Sequence, residues 1–216
     1  MKKILFFVIW VGLLTLGPIT IYLNTPIANL TMSPSAIANS LQRILGLTAF
    51  TLLFAQLLLG VSMDKAKKYF GDWVYNFHII QGILIYFLVI LHGLSFVYFN
   101  YVIFQRFDPF YIFVDVCVLC ASQLDHYYNF GRVGFWFLTI AIFAGLFRGF
   151  NLWMRQNWRR FHYLNYLAFL FLGLHAYFVG TDTLTTPYKY FYFLSMSLVI
   201  LITIKKLINL IFPKIA

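Results

Sequence analysis

The chain has 216 residues, of which 62% are hydrophobic, 21% aromatic and only 10% charged. A water-soluble domain covers its surface with roughly 25% charged residues. The composition therefore excludes a soluble globular protein and describes one that lipid solvates.

In chain order, apolar runs cover Ile4–Leu23, Ile37–Val61, Val74–Phe99, Val133–Leu152, Phe161–Val179 and Tyr188–Phe212. Crossing a hydrocarbon core of about 30 Å takes roughly 20 helical residues. The six runs predict an all-α, polytopic membrane protein with six transmembrane helices in one bundle. No internal repeat, linker or low-complexity tract divides it, so residues 1–216 read as a single domain. The first run, opening M-K-K-I-L-F-F-V-I-W, has the basic start of a signal peptide. Its apolar stretch is longer than the roughly 7 to 15 residues usual there, so it reads as a retained first helix.

Between the third and fourth runs, Asn100–Gly131 holds a shorter apolar stretch, Phe110–Leu124, interrupted by Asp115. A seventh span there would carry Arg148, Arg155, Arg159 and Arg160 to the outside, against the charge rule for membrane proteins. The stretch is expected to pack at the outer interface. Its C-V-L-C, Cys117 to Cys120, is followed by Ala121 where covalent haem attachment requires histidine. The two cysteines read as small residues of an interfacial helix rather than as a disulfide or metal pair. His126, beside Asp125, reads as a surface residue.

Charge sets the orientation. With both termini in the cytoplasm, the inside holds Lys2, Lys3, Lys65, Lys67, Lys68, Arg148, Arg155, Arg159, Arg160, Lys205, Lys206 and Lys214 against Asp64 and Asp72. The outside holds Arg43, Arg106, Arg132 and Lys189 against Asp108, Asp115, Asp125 and Asp182, a balance of zero. The whole formal excess of +10 falls on one side, as the positive-inside rule requires. The expected location is the cell membrane, inner or plasma, as a multi-pass protein, and the basic balance implies no nucleic-acid partner.

Four of the five histidines lie in two predicted helices, His78 and His92 on the third, His162 and His175 on the fifth. At 1.5 Å per residue their separations correspond to about 21 Å and about 20 Å of helix, one imidazole toward each membrane face. The two helices run the same way, so His78 shares a depth with His162, and His92 with His175. Facing imidazoles at one depth can hold a haem iron from both sides, and two such pairs predict two stacked b-type haems. Packing histidines are the competing reading, yet four intramembrane imidazoles matched in depth mark function more than structure. A spacing of fourteen returns to within about 40° of one helix face, whereas thirteen leaves about 140°. The fifth helix therefore needs a tilt or bulge, with Gly173 the candidate position.

Gly82, Gly93 and Gly173 stand near these histidines, and their missing side chains would admit a flat macrocycle. Haem propionates need cations near each face. Lys68, Arg159 and Arg160 are the inside candidates, and Arg43 and Arg132 the outside ones. Arg43 is the sharper, because in N-S-L-Q-R-I-L-G it starts an outer helix end where bidentate bonding to a carboxylate is favourable.

The chain resembles the ferric-reductase-like transmembrane domain family, which includes ferric reductases, the membrane part of NADPH oxidases and the haem-binding subunit of the periplasmic methionine-sulfoxide reductase system. The resemblance rests on Q-R-I-L-G at Gln42 to Gly46, F-H-I-I-Q-G and L-H-G on the third helix, W-R-R-F-H-Y-L-N-Y at Trp158 to Tyr166 and G-L-H-A at Gly173 to Ala176. It implies that His78 and His162 hold the cytoplasmic-side haem, that His92 and His175 hold the outer one, and that Arg43 lies near the outer haem. No G-x-G-x-x-G occurs, so a separate donor is expected, a cytoplasmic flavoprotein or membrane quinol. Ferric iron, dioxygen or a periplasmic reductase would accept the electrons. The rival from another class is a haem-free transporter or scaffold, which lacks the usual acidic residues within spans or helices broken at the midplane.

Overall fold

The computed structural model describes residues 2–211, and Lys214 and the predicted end of the last helix at Phe212 lie outside them. The described residues form α1 (Lys2–Asn24), α2 (Ile27–Thr31), α3 (Pro34–Val61), α4 (Met63–Phe70), α5 (Trp73–Phe104), α6 (Gln123–Leu146), α7 (Leu152–His162), α8 (Leu164–Val179) and α9 (Tyr188–Ile211), with no strand among them. Five helices, α1, α3, α5, α6 and α9, are long and apolar enough to cross a membrane. The sixth predicted span differs. Its residues divide at Tyr163 into α7 and the 16-residue α8, and 16 residues reach only about 24 Å.

Local signals explain most boundaries. Ser33 caps α3 by accepting from the Ala36 amide at 3.1 Å, with Pro34 in the first helical turn where its missing N–H costs nothing. At α6, Ser122 Oγ accepts from the Asp125 amide at 3.2 Å and donates to Asp125 Oδ2 at 2.7 Å. This S-Q-L-D box starts the fourth long helix at Gln123, ten residues before the predicted Val133, so Arg132 lies inside the helix rather than at its start. Asn151 caps α7 through the Met154 amide at 2.7 Å. Gly71, with φ 105°, ends α4 in the left-handed region that favours glycine.

In lipid, helices associate through close backbone approach and polar contacts more than through apolar burial. The most extensive pairings are α3 with α5 and α6 with α8. A methyl group at Gly134 of α6 would sit 3.1 Å from the Leu172 backbone nitrogen of α8. Trp10 of α1 donates to Gln81 of α5 at 2.8 Å, and the buried Tyr188 of α9 meets Thr51 and the Leu47 carbonyl of α3 at 2.9 Å each. Apolar residues such as Ile80 and Leu201 stay exposed, as a lipid-facing surface requires.

Basic side chains gather at one end. Lys2 lies over Tyr69, Lys3 over Trp73, Arg148 over Tyr75 and Lys206 over Tyr163. The opposite end carries the α2 turn, the α8–α9 connection and residues 105–122, which form turns and bends rather than the expected interfacial helix.

Candidate functional site

The structure brings the four histidines together in two pairs. Ring centroids lie 6.5 Å apart for His78 and His162 at the basic end, and 6.4 Å apart for His92 and His175 at the opposite end. The ring planes cross at 65° and 80°. The phase problem is resolved by the break at Tyr163, since His162 closes α7 while His175 belongs to α8. Gly173 is not the bend; it faces Met196 within an unbroken helix.

Each imidazole rests on a glycine of the neighbouring helix. A methyl group at Gly46 would sit 2.9 Å from His92 Cε1, and one at Gly131 2.9 Å from His175 Nδ1. At Gly60 and Gly145 it would reach His78 Cε1 at 3.3 Å and His162 Nδ1 at 3.4 Å. These glycines recur at a spacing of fourteen on α3 and again on α6. Each half of the bundle thus pairs a glycine-bearing helix with histidines from its antiparallel neighbour. Gly82 and Gly93 support no imidazole, although Gly93 lines the cavity that holds His92 and His175. The first faces Gln56 Nε2 at 3.1 Å, and the second faces Phe113 at 3.0 Å.

The glycines let the rings reach backbone carbonyls. His92 Nδ1 lies 2.9 Å from the Gln42 carbonyl, His162 Nδ1 2.9 Å from Ala141 and His175 Nδ1 3.4 Å from Tyr127. Each carbonyl belongs to the residue four before the glycine. A carbonyl only accepts, so the proton sits on Nδ1 and the lone pair on Nε2, the tautomer a metal ligand needs. His78 departs from this pattern. Its Nδ1 is buried without a partner, as is Gln56 Oε1, while Gln56 Nε2 donates to the His78 carbonyl at 2.7 Å. The Asn165 amide nitrogen stands 3.4 Å from both ring nitrogens of His162.

Two metal–nitrogen bonds of about 2 Å, with roughly 1.2 Å from each nitrogen to its ring centre, separate axial imidazoles of one metal by about 6.4 Å. Both pairs have that separation. Among the described residues no three His, Cys, Asp or Glu side chains converge, so each pair would supply two ligands and no more.

At the end opposite the basic one, a cavity of about 320 Å³ is lined by His92, His175, Gly46, Phe50, Arg43 and Arg132 among others. Arg43 is committed within the protein. Its Nε and Nη2 each bond Asp182 at 2.6 Å, and Nη2 also donates to Thr25 at 2.7 Å. Arg132 is only 3% exposed and forms no ion pair among the described residues. It donates to the Tyr111 carbonyl at 3.1 Å and to Asn129 Oδ1 at 3.0 Å, and lies 4.7 Å from the centre of the Tyr111 ring. Burial raises the pKa of the Tyr111 hydroxyl, as does its bond to Asp125, so Tyr111 stays neutral beside it. Asp125 attracts Arg132 without forming an ion pair with it; a buried cation with no contacting anion is costly, and an anionic group in the cavity would offset it.

At the basic end, Lys68, Arg159 and Arg160 are exposed, with Arg159 stacked 5.7 Å from the Trp158 ring. His126 is exposed as expected. Cys117 and Cys120 are joined in a disulfide, against the expectation of two unbonded small residues. The segment carrying them is irregular, and its backbone is tied to α6 through Asn129, which brings the two thiols to one place.

Alanine at Gly46 is expected to destabilise the protein by about 1–3 kcal/mol, the range for overpacking a filled site. Thermal melting of the detergent-solubilised protein measures this against Gly12→Ala, where nothing lies within 4 Å of the added methyl. Equal melting of the two variants would contradict the close contact with His92.

No family model, curated protein or solved structure matches this chain.

Proposed function

We propose that the protein is a two-haem, b-type electron carrier of the ferric-reductase-like kind, passing electrons from a cytoplasmic flavoprotein or membrane quinol to an acceptor outside. The observation that carries the reading is the pair of imidazole couples at a common separation, three of their four rings held by Nδ1 contacts to carbonyls, with only the Asn165 amide near the Nε2 of His162. The buried, unpaired Arg132 in the cavity with His92 and His175 supports it, since a propionate is the anion such a site would take.

When bound, haem iron supplies reversible one-electron exchange. His78 with His162, and His92 with His175, would hold the two haems, one pair to each. The carbonyl contacts fix each ring's orientation and raise its basicity as a ligand. Phe50 of α3 stacks 4.6 Å from the buried Phe169 of α8, at positions lying between the two histidine levels on each helix, and keeps water out.

The excess of Lys and Arg at one end supports cytoplasmic placement of the His78/His162 level. Purified protein, expressed with haem supplied, is expected to give b-type bands on dithionite reduction, with two haems per chain. Absence of those bands would reject the carrier in favour of a haem-free membrane protein.

A further inference from the structure

We infer that the Cys117–Cys120 disulfide is a second redox centre on the face opposite the basic end, one that stores two electrons as a dithiol and delivers them to disulfides of an exofacial protein. The inference rests on the proposed electron-carrier reading for its supply of electrons.

Three observations place this disulfide where such a centre belongs. First, it is tied to the wall of the cavity. Asn129 Nδ2 donates to the Cys117 carbonyl at 2.5 Å and stands 3.5 Å and 3.3 Å from the Cys117 and Cys120 sulfurs. Asn129 Oδ1 accepts from the Cys117 amide at 3.3 Å and from Arg132 Nη1 at 3.0 Å. One amide therefore links the sulfurs to the buried cation that lines the cavity with His175. The same turn of α6 supplies the Tyr127 carbonyl that contacts His175.

Second, the bond is presented to the outside. Val118 and Leu119, the two residues between the cysteines, are 88% and 96% exposed. A partner chain can lay an apolar segment against them and reach the sulfurs from the same side. Third, the surroundings favour thiolate. An N–H donor within reach of both sulfurs, polarised by Arg132, stabilises the negative sulfur that attacks a disulfide.

The chemistry balances in two steps. Reduced flavin or quinol on the cytoplasmic side gives up two electrons, the Cys117–Cys120 bond breaks, and each sulfur takes one proton from water at the outer face. A thiolate of the pair then attacks the partner's disulfide to form a mixed disulfide. The second cysteine displaces it, restoring the Cys117–Cys120 bond and releasing the partner as a dithiol.

The chain has two cysteines in all, so labelling is unambiguous. Haem-loaded protein is placed in anaerobic liposomes with its basic end inside, with FMN, NADH and a flavin reductase enclosed and an impermeant maleimide outside. Two labels per chain are expected when the donor system is complete, and none when NADH is left out or in protein prepared without haem. If the haem bands are reduced while the cysteines stay unlabelled, the disulfide centre is overturned and the electron carrier stands. Labelling that persists in haem-free protein overturns the route. Absence of haem from every preparation overturns both readings.

Discussion

Alanine at His92, or at His175, is expected to halve the haem content, from two per chain to one. Each ring is one of two in its pair, and the partner alone leaves the iron short of an axial ligand. The other pair lies about 20 Å away along the helices and loses nothing. The fold should tolerate the change, because the Gln42 carbonyl that His92 contacts remains a helical acceptor for the amide four residues on. His78→Ala and His162→Ala should remove the other haem instead. Haem measured per protein as the pyridine complex, with a redox titration to show which centre remains, reads the result. Unchanged content in both His92→Ala and His175→Ala would end the two-haem reading.

The pairing of histidines by depth was legible because it needs only helix rise and direction, and both follow from apolar runs and charge. The glycines that seat the rings are not the ones nearest the histidines in sequence. Gly82, Gly93 and Gly173 are neighbours of histidines in sequence, yet a helix presents its side chains to other helices, so the glycines that admit the rings are Gly46, Gly60, Gly131 and Gly145 on α3 and α6. Their common spacing of fourteen was a readable signal, since it matches the separation of His78 and His92. The S-x-x-D box at Ser122 was another, and it would have put Arg132 within α6. The angular mismatch between His162 and His175 says that the helix must change course but not where, so it points to Gly173 while the break lies at Tyr163. The Arg43–Asp182 contact joins residues 139 apart in sequence, beyond the reach of any local pattern. The disulfide escaped because the apolar character of Phe110–Leu124 suggested a helix, while Asn129, which fixes its turn, lies outside that stretch.

Methionine at Arg43 is expected to destabilise the protein by about 3–5 kcal/mol, the usual consequence of leaving one partner of a buried ion pair without the other. Asp182 is only 4% exposed, and both of its oxygens bond Arg43 at 2.6 Å. Removing the guanidinium strands the carboxylate between α3 and the α8–α9 connection, and also frees Thr25, which ties in the α1–α2 turn. The double variant Arg43→Met with Asp182→Leu should recover most of the loss, because replacing both members of a buried pair with apolar groups is often neutral. Unfolding of the purified protein in mixed micelles of increasing denaturing detergent measures the three stabilities. Haem content in the same samples separates two roles for Arg43. If the double variant regains stability and keeps both haems, Arg43 serves the fold and Arg132 is the cation left for the cavity. If it regains stability yet loses one haem, Arg43 contributes to the site directly. A single variant as stable as the parent would show that Asp182 does not depend on Arg43.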